Sequence, residues 1–207
     1  RVAVNVLSHR LILTPQARLS GLTAETILED ILNAVEVPTD PVTGIHPDAL
    51  RAVLDTHRVT ACWFMSSFQN PLGATVPDAQ RPLIVQLLAE RGVPLIEDDV
   101  YGELYFGARA PRPYKSFDDK GLVLHCSGYA KTLAPGWRIG WVAGGRYAQI
   151  LERLKTMSSL ATNIPAQEAL AVYLRGGRYE SHLRKLRRRL ASQQEEMLSA
   201  ITRHFPT

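Results

Sequence analysis

Residues 59–65 read Val-Thr-Ala-Cys-Trp-Phe-Met, and residues 92–97 read Gly-Val-Pro-Leu-Ile-Glu. The first is a compact apolar run with β-branched and aromatic members, which reads as a strand buried on both faces. Residues 94–97 read as a second. Between them, over 78–91, Leu83, Leu87 and Leu88 fall on one helical face, and Gly92 stands where a helix would stop. Pro82 belongs in or near that helix's first turn. Strand, helix and strand joined by short links form the unit of a parallel sheet.

The pattern continues outward. Residues 34–37, 122–126 and 138–143 read as further strands, and 47–56 as a helix opened by Pro47. The last third reads as helical over 147–157, 165–175 and 179–204, with Gly176-Gly177 breaking the chain before the last. In that last helix Leu183, Leu186, Leu190, Met197, Leu198 and Ile201 recur at helical spacing. A strand over 2–7 and a helix over 23–33 are the weaker readings, and nothing there carries chemistry. The fold class expected is therefore α/β with a mainly parallel sheet.

Composition sets limits on function. The 207 residues are 45% hydrophobic and 21% charged, within the range of ordinary globular chains. No apolar run approaches the ~20 residues of a membrane-spanning helix, and no signal peptide opens the sequence. The net charge is +4, but Arg184, Lys185, Arg187, Arg188 and Arg189 account for all of it, leaving the rest slightly acidic. That cluster flanks an apolar stripe and lacks aromatic interleaving, so a solvated helix face is the reading preferred over a nucleic-acid patch. Cys62 and Cys126 read as buried free thiols. The histidines have no metal-ligand spacing. Trp63, Trp137 and Trp141 read as packing residues.

Three segments stand at or near predicted strand ends, where open α/β sheets bind ligands. They are Phe68-Gln69-Asn70-Pro71-Leu72-Gly73, Glu97-Asp98-Asp99-Val100-Tyr101-Gly102, and Ser127-Gly128-Tyr129-Ala130-Lys131-Thr132-Leu133-Ala134-Pro135-Gly136-Trp137-Arg138. Singly they have bland readings: turn chemistry, a helix cap and an exposed lysine. Asn-Pro-x-Gly, then Asp-x-x-Tyr, then Ser-x-x-x-Lys followed by Arg-x-Gly resembles, in that order, the fold-type I pyridoxal-phosphate-dependent aminotransferases of class I/II. The closer resemblance, from Val35 to Phe205, is to the aminotransferase-like domain of MocR-type regulators of the GntR family.

The resemblance implies a three-layer α/β/α large domain, here truncated, and pyridoxal 5'-phosphate as cofactor. Residues 1–34 would be a divergent segment, 35–178 the cofactor-binding core and 179–207 a long helix leading towards a small domain. Lys131 would hold the cofactor as a Schiff base and move the proton between substrate and cofactor. Asp98, three residues before Tyr101 as the family pattern requires, would pair with the pyridine nitrogen. Tyr101 and Asn70 would hydrogen-bond the ring's phenolic oxygen, and Arg138, helped by Ser127, would hold the phosphate.

By the same resemblance the activity is amino-group transfer between an α-amino acid and a 2-oxo acid. The alternative is a sensor of amino compounds attached to a DNA-binding domain, with little turnover. A degenerate fragment that binds nothing is the blandest option. A homodimer in the cytoplasm is implied, with an amino acid or amine as small-molecule partner and DNA bound only through a domain outside this chain. Some family features depart: Gly128 and Ala130 stand where serine is usual. The Gly/Ser-rich phosphate loop, the ring-stacking aromatic and the small domain's arginine are not recognisable.

Overall fold

The computed structural model describes Thr23 and residues 34–205. The strand expected over 2–7 and the helix expected over 23–33 lie outside the described residues. The chain divides into two units between Val37 and Pro38. In the first, residues 34–37, expected as a strand, have no regular structure. Among the described residues, extended pairing begins in the second unit, with a two-strand hairpin of β1 (Thr39–Asp40) and β2 (Gly44–Ile45). Its turn is set by Asp40, whose carboxylate accepts from the backbone of Val42 and Thr43 and from the Thr43 hydroxyl.

The helix α1 (Pro47–Thr56) has the expected bounds, with Pro47 in its first turn and Leu50 and Leu54 buried. After it come β3 (Cys62–Phe64), α2 (Arg81–Glu90) and β4 (Leu95–Asp98). The first residues of the expected 78–91 helix form a turn instead, Gln80 N–H donating to the Pro77 carbonyl. Gly92, with φ +65°, follows the helix in the left-handed conformation that suits glycine.

Next come β5 (Val123–Gly128) and β6 (Gly140–Ala143), then α3 (Ala148–Ser159), α4 (Ile164–Arg175) and α5 (Arg178–His204). The sheet order is β3-β4-β5-β6; the first three strands are parallel, and β6 runs antiparallel to β5. The sheet is thus mainly parallel, with an antiparallel last strand that strand length and hydrophobicity did not reveal.

The two sheet faces differ. Cys62, Phe64, Leu95, Glu97 and Val123 alternate onto one face and are all buried, as are Leu50, Ile84, Leu87 and Leu88 of α1 and α2. On the other face lie Trp63, Ile96, Asp98, Leu124, Cys126 and Val142, and there Trp63 is 70% exposed. Trp63 is therefore not the packing residue expected, and Trp137 and Trp141 are also exposed, although Trp141 meets the His125 ring edge-on at 5.0 Å. Both cysteines are free thiols, Cys62 buried and Cys126 only partly so. Burial pushes the Cys62 thiol up to about 11. Among the described residues no helix is long and apolar enough to cross a membrane.

Gly128 and Gly140 face each other across β5 and β6. A Cβ on Gly140 would stand 2.9 Å from the Ser127 carbonyl oxygen, and one on Gly128 would stand 3.1 Å from that of Ile139. The serine usual at position 128 is therefore replaced where two backbones meet closely. Gly140→Ala is expected to destabilise the chain by about 1–3 kcal/mol, because backbone rather than a flexible side chain must yield. Chemical denaturation checks this; a loss below ~0.5 kcal/mol contradicts the tight crossing.

Candidate functional site

The second and third of the segments singled out in the sequence meet at the carboxyl ends of β4 and β5, and the first follows β3, the strand beside β4. Asp98 ends β4, Cys126 of β5 is its register partner, and Ser127 follows. The chain leaves β4 through Asp99 and Val100 into a 3₁₀ turn, Gly102–Leu104, capped by Tyr101. It leaves β5 through a turn in which Leu133 N–H and Ala134 N–H both donate to the Tyr129 carbonyl. Lys131 lies in that turn, its Nζ 5.6 Å from the centre of the Tyr101 ring. The second and third segments thus meet through a lysine and a phenol, within cation–π range.

Asp99 is fixed at each of its polar groups. Its N–H donates to the Cys126 carbonyl at 2.8 Å, and its carbonyl accepts from Ser127 Oγ at 2.9 Å. Its carboxylate meets His125 Nε2 at 2.9 Å, and a Cβ on Gly102 would collide with that carboxylate. Asp98 has no such commitment. Among the described residues the side chains of Asn70, Asp98, Tyr101, Lys131 and Arg138 take part in none of the hydrogen bonds or ion pairs. The two adjacent aspartates therefore differ: Asp99 holds the turn, and Asp98 presents an uncommitted carboxylate. That charge, after burial, raises the pKa of the neighbouring Cys126 thiol.

Ser127 is tied to the Asp99 carbonyl by its only hydroxyl proton, so to donate to an anion it must turn away from that carbonyl. Arg138 follows the 3₁₀ turn Pro135–Trp137 and takes φ +56°, ψ +36°. Phe68, at the start of the first segment, has φ +52°. Left-handed backbone at non-glycine residues stores strain and clusters at functional sites. Two of the three such residues in the described chain fall in the candidate segments, the third being Leu160.

The first segment is held from below. Phe68 N–H donates to Thr75 Oγ1 at 3.1 Å, and Gln69 N–H donates to the Ala74 carbonyl at 2.9 Å, closing the loop that carries Asn70 and its cis peptide bond to Pro71. Beneath the loop, Ser66 Oγ donates to buried Glu97, which also accepts from Tyr114 N–H and Lys115 N–H. Sequence reading missed this network, together with fully buried Arg81, because most of its partners lie 14 to 31 residues apart.

Sequence reading also missed the role of α5. Tyr179 Oη donates to Thr132 Oγ1 at 2.9 Å, and His182 Nε2–H donates to the Thr132 carbonyl at 2.8 Å. Arg187 Nε donates to the Glu103 carbonyl at 2.7 Å while its guanidinium stacks 4.0 Å over the Tyr105 ring. Arg187 is thus no member of a solvated basic face, whereas Arg184, Lys185, Arg188 and Arg189 are exposed as expected. Burial keeps the Glu103 carboxyl above its ordinary range despite Arg187, and raises the Tyr179 phenol likewise.

Comparison with known proteins accounts for this convergence. Residues 28–205 match the family "Aminotransferase class I and II", starting somewhat before the resemblance legible from Val35. The chain is 47% identical over 175 residues to the HTH-type transcriptional regulator YdcR of Escherichia coli, covering 84% of this chain and 37% of that protein. It is 30% identical over 178 residues to aromatic-amino-acid aminotransferase 1 of Thermococcus litoralis, covering 83% of this chain and 42% of the relative. The α-aminoadipate aminotransferase LysN of Thermus thermophilus, solved with N-(5'-phosphopyridoxyl)-L-leucine, superposes with a TM-score of 0.76 at 29% identity, over 83% of this chain and 45% of that one. The chain spans less than half the length of these relatives. With the matched fold, the family match over most of the chain and the lysine, aspartate and tyrosine segments brought to one sheet end, this chain belongs to the class I and II aminotransferases.

Proposed function

We propose that this chain forms the cofactor-holding part of a pyridoxal-phosphate-dependent aminotransferase that moves an amino group between an α-amino acid and a 2-oxo acid. The observation that carries the reading is the uncommitted set of Asp98, Tyr101 and Lys131 at one sheet end, beside Asp99 and Thr132, whose side chains are engaged. The donor set fits the cofactor chemically: an amine for its aldehyde, a carboxylate for its ring nitrogen, a phenol for its phenolic oxygen and a guanidinium for its phosphate. Homodimer formation and cytoplasmic location are part of the same proposal.

When bound, pyridoxal phosphate supplies an electron sink for the pair left at the amino acid's Cα. Lys131 Nζ would bind the cofactor's aldehyde, and its amine when free would serve as the base that moves a proton from the substrate's Cα to the cofactor's aldehyde carbon. Asp98 holds a negative charge against the ring nitrogen and so favours its protonated form. Tyr101 and Asn70 donate to the phenolic oxygen. Arg138 pairs with the phosphate through its planar fork, and Ser127 adds a donor if it leaves the Asp99 carbonyl.

The identity to an HTH-type regulator favours a second reading, in which the same site senses an amino compound and signals to a DNA-binding domain, with little or no turnover. The first test is the near-visible spectrum of the purified chain with pyridoxal phosphate, beside Lys131→Ala. A band that survives dialysis and disappears in Lys131→Ala is expected; a covalently retained cofactor without Lys131 would falsify the assignment. Turnover of an amino acid with a 2-oxo acid then separates the enzyme from the sensor.

A further inference from the structure

Lys131 is exposed and has no polar partner of its own among the described residues, yet Thr132, the next residue, is 2% exposed and bonded at its hydroxyl and its carbonyl. Both bonds come from one turn of α5, through Tyr179 and His182. Leu183, fully buried, anchors the same turn, and the Tyr179 ring packs edge-on against Tyr129, the residue on which the lysine's turn closes. Two helical turns further on, Arg187 grips the Glu103 carbonyl just after Tyr101. One rigid helix thus reaches both segments that meet at Lys131 and the Tyr101 ring. A lysine side chain has four rotatable bonds and much rotamer freedom, so where its amine points depends on how firmly its own Cα is held.

We propose that Tyr179 and His182 are positioning residues for Lys131: by fixing Thr132 from α5 they set the lysine's amine against Tyr101. The proposal rests on the reading of Lys131 as the cofactor-binding lysine, and its test has one arm that needs no cofactor. In that arm the cofactor-free chain is treated with a limiting amine acylating reagent across a pH series. Mass spectrometry then reads Lys131 labelling relative to Lys155, an exposed lysine on α3.

Thr132→Val, which removes the hydroxyl without changing shape, and Tyr179→Phe are each expected to change the relative labelling of Lys131 by at least about threefold. His182→Leu is expected to do the same and His182→Gln, which keeps a donor for the Thr132 carbonyl, to restore it. In the second arm, each lost bond is expected to weaken retention of pyridoxal phosphate about five- to tenfold and to move the pH midpoint of the Lys131-dependent band. Folded Thr132→Val and Tyr179→Phe chains with unchanged labelling overturn the proposal, leaving α5 as scaffold only. Changed labelling with no Lys131-dependent band in the unsubstituted chain upholds the positioning and sinks the cofactor reading instead.

Discussion

Arg81→Met is expected to cost about 3–5 kcal/mol of stability, the range for removing one member of a buried charged network. Arg81 is 0% exposed, yet its guanidinium makes four hydrogen bonds: Nε to the Val76 carbonyl at 2.9 Å, Nη1 to the Arg112 carbonyl at 2.6 Å, and Nη2 to the Ser66 carbonyl and Ser67 Oγ at 3.0 Å each. Asp78, largely exposed, lies 3.4 Å away and supplies only a weak counter-charge. Methionine matches the stem but supplies no donor, so the Val76 and Arg112 carbonyls and the Ser67 hydroxyl lose this donor, and the Ser66 carbonyl is left with Val76 N–H alone.

The damage passes on through Ser66, whose carbonyl takes Arg81 and whose hydroxyl serves Glu97. Arg81→Lys is expected to fail almost as badly, since one ammonium cannot reach the directions a planar fork covers. Denaturant unfolding checks both. A domain of this kind has about 5–15 kcal/mol in total, so the loss is a large share, and a change below ~1 kcal/mol refutes the network's importance.

That network marks where sequence reading stops. The strands and helices were legible because buried parallel strands are unbroken apolar runs and because Pro47, Gly92 and Gly177 punctuate them. The apolar run over 34–37 misled for the same reason: Val35 and Val37 suit a strand, but residues 34–37 take no regular structure. The β6 boundary slipped to Arg138 because the apolar pattern around Ile139 does not report the left-handed backbone at Arg138. The site segments were legible because each is a local motif carried by adjacent residues. Partnerships across long separations were not: Arg81 with Ser66, Thr132 with α5, and Arg187 with Glu103 leave no periodic trace. Arg187 illustrates the cost, for within a run of like charges nothing in composition separates the one that folds back onto Tyr105.

Asp98→Asn is expected to slow the change that an added amino acid produces in the Lys131-dependent band by roughly 10²–10³-fold, the scale for losing one aligned electrostatic group. The cofactor is still expected to be retained, since Lys131 and Arg138 remain. Asparagine keeps the shape of aspartate but not its charge, so the ring nitrogen loses the partner that favours its proton. Asp99→Asn is the decisive contrast. Asp99 is one residue away, but its carboxylate faces His125 at 2.9 Å and abuts Gly102. Its substitution is expected to reduce stability by about 1–3 kcal/mol through the lost charge-assisted bond, with a much smaller effect on the rate. Successive residues of a strand point to opposite faces, so the two aspartates cannot exchange roles without rebuilding the end of β4. If Asp99→Asn proves the slow variant and Asp98→Asn is spared, the cofactor lies on the face of the sheet that carries Asp99 and His125, and the partnership of Lys131 with Tyr101 must be reassigned with it.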